Sequence, residues 1–157
     1  MNDLFRDLAP ISDSAWKEID DQARQALVVE LAGRKLVDFV GPKGWQESAM
    51  NLGRVGALKG APVDGVTGAL RQVQPLVELR APFALSRAET DNIARGAVDP
   101  DFDPLIQACI QIARAEDRAI FHGWGPAGIA GICERTPHKS LKIADNYHAY
   151  PATAAAD

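Results

Sequence analysis

The stretch from Met50 to Leu85, MNLGRVGALKGAPVDGVTGALRQVQPLVELRAPFAL, decides the fold class. Its first half carries Gly53, Gly56, Gly60 and Gly65 together with Pro62, a density too high for a helix and awkward in a compact sheet. Its second half changes character. Val77, Leu79, Ala81, Phe83 and Leu85 alternate with Glu78, Arg80, Pro82 and Ala84, which is the period of a strand with one apolar face. The pattern predicts a long two-stranded excursion whose return limb is Leu70 to Leu85. Pro75 and Pro82 have no N–H to give to a ladder, so this limb is expected at an edge or paired on one side only. A long arm with open edges is marginal alone and asks for a partner chain.

Upstream, Ser12 and Asp13 offer a cap and an acidic first turn ahead of Trp16, Ile19, Ala23, Ala26, Leu27 and Leu31, spaced as one helical stripe. Gly33 is placed to supply a left-handed stop, with Arg34 and Lys35 beside the negative helix end. From Lys35 to Val40 the period becomes two and predicts a strand ending at Gly41 and Pro42.

Downstream, Ser86 and Glu89 form a capping box that opens a short helix closed by Gly96. Asp103 and Pro104 then cap and begin a longer helix running to Gly123. Its apolar residues, among them Leu105, Ile106, Cys109, Ile110, Ile112, Ile120 and Phe121, cover much of its circumference, which predicts burial on two sides. Taken together the elements describe an α+β chain.

The residues that could carry chemistry are few. Gly123, Gly125 and Gly128 match the dinucleotide spacing Gly-x-Gly-x-x-Gly, but they follow a helix instead of a strand and no acidic partner lies about 20 positions on. The alternative is a turn with positive backbone angles and close packing around Trp124. His122, His138 and His148 fall in no His-Glu-x-x-His or Glu-x-x-His spacing, and the residue three beyond Glu116 is Ala119, which argues against a di-iron helix pair. His122 suits the end of a helix, facing its dipole. No nucleophile elbow or P-loop is present, and Asp20 and Asp21 point to different helix faces. No metal, cofactor or catalytic residue is assigned.

Composition sets the remaining bounds. The 157 residues are 46% hydrophobic and 24% charged, with a net charge of −4 that leaves no basic excess for a phosphate backbone, so no nucleic-acid partner is expected. Cys109 and Cys133 lack metal or disulfide spacing and fit reduced thiols. With no signal-like N-terminus and no run near the ~20 apolar residues of a membrane span, a cytoplasmic location is expected and a membrane partner is not.

Four stretches in register resemble one family: LFRDLAPISDSAWKEID (Leu4 to Asp20), LAGRKLVDFVGPKGW (Leu31 to Trp45), PLVELRAPFALSRAETDNIARG (Pro75 to Gly96) and ARAEDRAIFHG (Ala113 to Gly123). They look like the encapsulins, the linocin or bacteriocin-type shell proteins, and the resemblance runs from Leu4 to about Ala152. It implies the tailed-phage major capsid fold. On that template, residues 1–48 would form the N-terminal helix and first P-domain strand, 49–76 the E-loop, 77–125 the P-domain with its spine helix, and 126–157 the beginning of an A-domain.

The same resemblance implies a shell subunit, not an enzyme: a homo-oligomer closing an icosahedral cage around a cargo such as a dye-decolorising peroxidase or a ferritin-like protein, held by the cargo's targeting peptide. By position it places the cargo peptide at Leu27, Val28, Leu31, Arg34, Asp38 and Val40. An apolar groove between helix and strand would take aliphatic side chains while Arg34 and Asp38 meet backbone or charged groups. The same residues would equally serve to pack the helix on its own strand. Some relatives are thought to hold flavin through an aromatic in the helix after the E-loop, where this chain has Ala88. Family members continue further, so a complementary C-terminal chain, or a sequence that is part of a longer one, is expected. The alternatives are a phage capsid subunit packaging DNA, which a lysine- and arginine-rich inner face would favour, and a stand-alone enzyme or bacteriocin.

Overall fold

The computed structural model describes residues 5–140. The expected start of an A-domain helix at Tyr150 to Asp157 and the position of His148 lie outside these residues. Five regular helices and strands longer than one turn order the chain: α1 Asp13–Glu30, β1 Ala49–Ala57, β2 Ala69–Pro75, α2 Arg87–Ala94 and α3 Asp103–His122, followed by the one-turn α4 Ile132–Arg135.

Helix α1 starts where its cap directs, with Ser12 Oγ accepting from Ala15 N at 3.2 Å. Its stripe packs on α3 and α2. Ile19, Phe102, Leu105 and Cys109 form the buried cluster, surrounded by Trp16, Ala23, Leu27, Leu85, Ile93 and Ile106. Each fully buried large apolar side chain contributes about 1.5–3 kcal/mol. Ala15 on α1 and Ala113 on α3 are almost completely buried, at 0% and 1% exposure.

Helix α3 is buried along one stripe, Leu105, Ala108, Cys109 and Ala113, and not on two sides. Ile110, Ile112 and Ile120 are only half-buried, because among the described residues no second layer covers them. Its cap also lies elsewhere than expected. The amide of Asp103 donates to Asp101 Oδ1 at 2.9 Å, so the capping carboxylate is two residues earlier in the chain. At α2, Ser86 Oγ accepts from Glu89 N at 3.1 Å, but Glu89 spends its own carboxylate on Asp101 N and Asn92 instead of closing the box. That choice ties the start of α2 to the approach to α3.

Two expectations around residue 33 are corrected. Helix α1 ends at Glu30 with Leu31 N donating to Leu27 O, and Gly33 opens a 3-10 turn, Gly33–Lys35, without a left-handed backbone. The glycine is needed for proximity: a Cβ there would stand 2.6 Å from Ile120 Cδ1 and 2.9 Å from Asp117 Oδ1. The predicted strand from Lys35 to Val40 is not formed either. Leu36 and Val37 donate back to Gly33 O, and the following residues run extended without a ladder, since among the described residues no strand lies beside them.

The β1–β2 pair is the predicted excursion, antiparallel from Ala49 opposite Pro75 to Ala57 opposite Ala69, with an irregularity between Asn51 and Arg54. The register break coincides with Gly53 at φ 67°, whose amide donates to Asn51 Oδ1 at 2.8 Å. The return limb pairs only as far as Pro75, after which Leu76 N makes one last bond to Ser48 O. Beyond it the alternating residues to Leu85 have no ladder partner among the described residues, because they pass the start of β1 at Ala49.

The glycine motif at 123–128 is a turn. Trp124 and Ile129 bridge through Trp124 N to Ile129 O at 2.7 Å, and Gly123 and Gly128 take φ of 75° and 67°. The close approach is between backbones and not around the indole, which is 38% exposed. A Cβ on Gly131 would fall within contact distance of Gly123 N and 2.5 Å from both His122 C and Phe121 O. Gly131→Ala is therefore expected to cost about 1–3 kcal/mol as an overpacked site. Gly125→Ala, with open space around its Cβ, should be silent. Thermal unfolding of the two variants side by side checks this; equal midpoints would contradict the turn's packing.

Candidate functional site

A largely apolar concavity lies where α1, the Gly33–Lys35 turn and α3 meet. It is an open groove of about 800 Å³. Leu27 and Leu31, one helical turn apart, give α1's side, and Ile112 and Glu116, also four apart, give α3's. Val28, Lys35 and Phe39 edge it, and Asp20 and Arg24 sit at one end. The far wall is built by charge. Arg34 Nε and Nη2 donate to Glu116 Oε1 and Oε2 at 2.5 and 2.7 Å, a bidentate pair across 82 positions of sequence. Its guanidinium also lies 4.6 Å from the centre of the Phe39 ring. Hydrogen bonding to Glu116 raises the Arg34 pKa further, so the cation is permanent.

Next to this pair, Asp117 accepts from Gly33 N at 2.8 Å and from Ala32 N at 3.1 Å. The turn is thus fastened to α3 at three consecutive residues, 32, 33 and 34. Sequence reasoning missed Phe39, Ile112, Glu116 and Asp117 as parts of the site. Glu116 and Asp117 look like ordinary solvated acids in the chain, and their partners are too distant for any local spacing rule to reveal.

Of the six residues expected to hold a cargo peptide, Leu27, Val28, Leu31 and Arg34 line the groove. Asp38 is exposed outside it. Val40 borders a separate hollow of about 190 Å³ at the root of the hairpin, with Pro42, Met50 and Leu76. The divergence follows from the missing strand: without a ladder, residues 38 and 40 do not return to the helix.

Chemically the groove offers aliphatic surface with a charged rim and no nucleophile beside a base. The Cys109 thiol sits in the core, where desolvation raises its pKa and keeps it protonated. Among the described residues no group of three or more His, Cys, Asp or Glu is arranged to hold a metal ion, and no helix is long and apolar enough to cross a membrane.

Sequence comparison sets this geometry in a family. The family Linocin_M18, described as encapsulating protein for peroxidase, matches residues 1–156. The chain belongs to the encapsulin family. It is 51% identical over 156 residues to a type 1 encapsulin shell protein of Rhodospirillum rubrum, covering 96% of this chain and 56% of that protein. It is 45% identical to one of Mycolicibacterium paratuberculosis, covering 91% and 54%. A diheme-cytochrome-encapsulin shell fusion protein of Kuenenia stuttgartiensis is 22% identical over 86% of the chain. The chain spans a little over half the length of the two nearer encapsulins. Family membership implies the capsid-type fold, with which the helices and small antiparallel sheet agree.

The end of the groove at Asp20 has an acid-sensitive fastening. Arg6 Nη1 and Nη2 donate to both Asp20 oxygens at 2.7 Å, and Arg6 stacks 4.7 Å from the Trp16 ring. The hydrogen bonds from Arg6 hold the Asp20 carboxyl below its ordinary pKa. A depressed carboxylate stabilises the fold above its unfolded pKa and loses that contribution as pH falls through the lower folded value. The pair is partly exposed, at 29% and 41% of its side-chain surfaces, so at most about 1 kcal/mol is involved. Denaturant midpoints of the native chain and of Asp20→Asn should differ at pH 7, begin to converge as pH falls through about 4, and meet only below the lowered folded value. A gap that stays constant with pH would contradict the assignment.

Proposed function

We propose that the chain is a shell subunit of an encapsulin nanocompartment: it self-assembles with copies of itself into an icosahedral cage and retains a cargo enzyme by that enzyme's targeting peptide. The observation that carries this reading is the β1–β2 hairpin. Met50, Leu52, Val55, Leu58, Leu70 and Val73 are all exposed along it, and among the described residues both outer edges are unpaired and no helix packs along its length. A two-stranded ribbon with apolar side chains on open faces is marginally stable by itself and gains its burial from neighbouring subunits.

In this reading residues 49–76 are the E-loop, α3 is the spine helix of a P-domain spanning 77–125, residues 1–48 carry the N-terminal helix, and 126 onward begin an A-domain. A complementary C-terminal segment supplies the remainder of the length found in the relatives. The shell is cytoplasmic, binds neither nucleic acid nor membrane and is not itself an enzyme. The cargo is a peroxidase, which the family description supports, or a ferritin-like protein.

Leu27, Val28, Leu31 and Arg34 bound the peptide groove, while Asp38 and Val40 lie outside it. The aliphatic side chains of the peptide take the apolar surface between α1 and α3. Electron microscopy and light scattering of the chain, together with the segment that completes its relatives' length, should show particles of uniform diameter. Only small species under assembly conditions would reject the reading. Val28→Glu, at a position 65% exposed and so tolerant of charge, should leave the particles intact and lower cargo retention about tenfold, equivalent to ~1.4 kcal/mol.

A further inference from the structure

The wall of the groove facing α1 does not stand by its own secondary structure: the residues after Glu30 form one 3-10 turn and then run without a ladder. What holds them is a pair of neighbouring carboxylates on α3. Asp117 receives the amides of Ala32 and Gly33 on separate oxygens, at 3.1 and 2.8 Å, and Glu116 receives Arg34 on both of its own. Charge-assisted bonds to two successive amides fix both the position and the direction of the turn. Gly33 lets this happen, because a side chain there would meet Asp117 Oδ1 and Ile120. Glu116 lines the groove whereas Asp117 does not, so Asp117 can affect an occupant only through the wall it positions.

The same geometry changes the role of Arg34. Its guanidinium is engaged in plane by Glu116 and faces the Phe39 ring, so meeting a ligand carboxylate would mean giving up a bidentate pair. It acts as a plate of the wall.

We propose that Asp117 is a positioning residue for the peptide groove, clamping the turn at residues 32 and 33 so that Leu31, Arg34 and Phe39 face Leu27 and Ile112 at the width an extended aliphatic peptide needs. The inference rests on reading the groove as the cargo-peptide site. A preorganised wall spares an incoming peptide the entropy of ordering the turn, so its loss appears in affinity.

The test measures fluorescence anisotropy of a fluorescein-labelled peptide copied from the C-terminal tail of a dye-decolorising peroxidase, titrated with the full chain and with three variants. Asp117→Ala should weaken binding tenfold or more. Asp117→Asn, which keeps one accepting oxygen, should weaken it less. Arg114→Ala, an exposed change on the same helix, should bind as the native chain does. Hydrogen exchange supplies a second readout: the amides of Ala32 and Gly33 should exchange at least tenfold faster in Asp117→Ala while those of the α3 core around Ala113 keep their protection. Native affinity in Asp117→Ala, or unchanged exchange at residues 32 and 33, overturns the inference alone. If the native chain fails to bind the peptide, the groove reading falls and takes the inference with it. Should Asp117→Ala lose protection throughout α3, the Asn variant decides: binding and exchange at 32 and 33 indistinguishable from native would overturn the clamp.

Discussion

Among the described residues, α1, the turn that follows it and α4 all take their places by contact with α3. Along one stripe, Leu105, Cys109 and Ala113 receive α1; one turn further, Glu116, Asp117 and Ile120 receive the segment that follows α1; and the last turn receives α4 and the glycine turn. The helix can do this because its small buried residues, Ala108 and Ala113, allow close approach while its acids sit beyond the end of the apolar seam. Remove that seam and neither the core nor the groove has a floor. Ile112 makes the link explicit: three residues on from Cys109 in the core cluster, it already lines the groove, so core and site share one side of the helix.

The hairpin obeys the opposite rule. Its backbone bonds are satisfied within the pair, and a side-chain bond from Gln74 Nε2 to Ala127 O at 3.0 Å ties it to the glycine turn. Apolar residues on a ribbon that finds no core among the described residues impose a free-energy cost that packing within those residues does not recover. In the proposed role that cost is what drives association: surface left uncovered in the subunit is covered in the shell, and closure of the cage removes the open edges that would otherwise lead to indefinite pairing.

How far the sequence foretold this depends on the range of the interaction concerned. Ser12, Ser86 and the α1 stripe were legible, because caps and 3.6-residue periodicity act within a few residues. The hairpin was legible from its glycines, whereas the alternation from Val77 to Leu85 lies beyond its last paired residue, Pro75; the glycine motif at 123–128 was legible from the helix preceding it. The strand assigned to Lys35 to Val40 failed for a physical reason: alternation describes which faces a strand would have, and a ladder needs a neighbour that residue pattern does not provide. Gly33 was recognised as a break and given the wrong cause, since left-handed backbone and close approach both select glycine and only coordinates separate them. Half of the groove could be seen on α1. The other half rests on Glu116 and Asp117, whose partners lie more than 80 residues away.

The polarity of the groove follows from these distances. A sequence view gives Arg34 and Asp38 as two charges awaiting a ligand. In the fold Arg34 is already neutralised by Glu116, and Asp38 lies outside the groove. A pair satisfied in the free protein adds nothing to affinity by itself, because any bond it made to a ligand would be exchanged for one it already has. In the proposed role, the discrimination left to the groove is therefore shape and apolar area between Leu27, Leu31, Ile112 and the Arg34–Phe39 plate. A site of this kind tolerates variation in the charged residues of a peptide and selects on the spacing of its aliphatic ones.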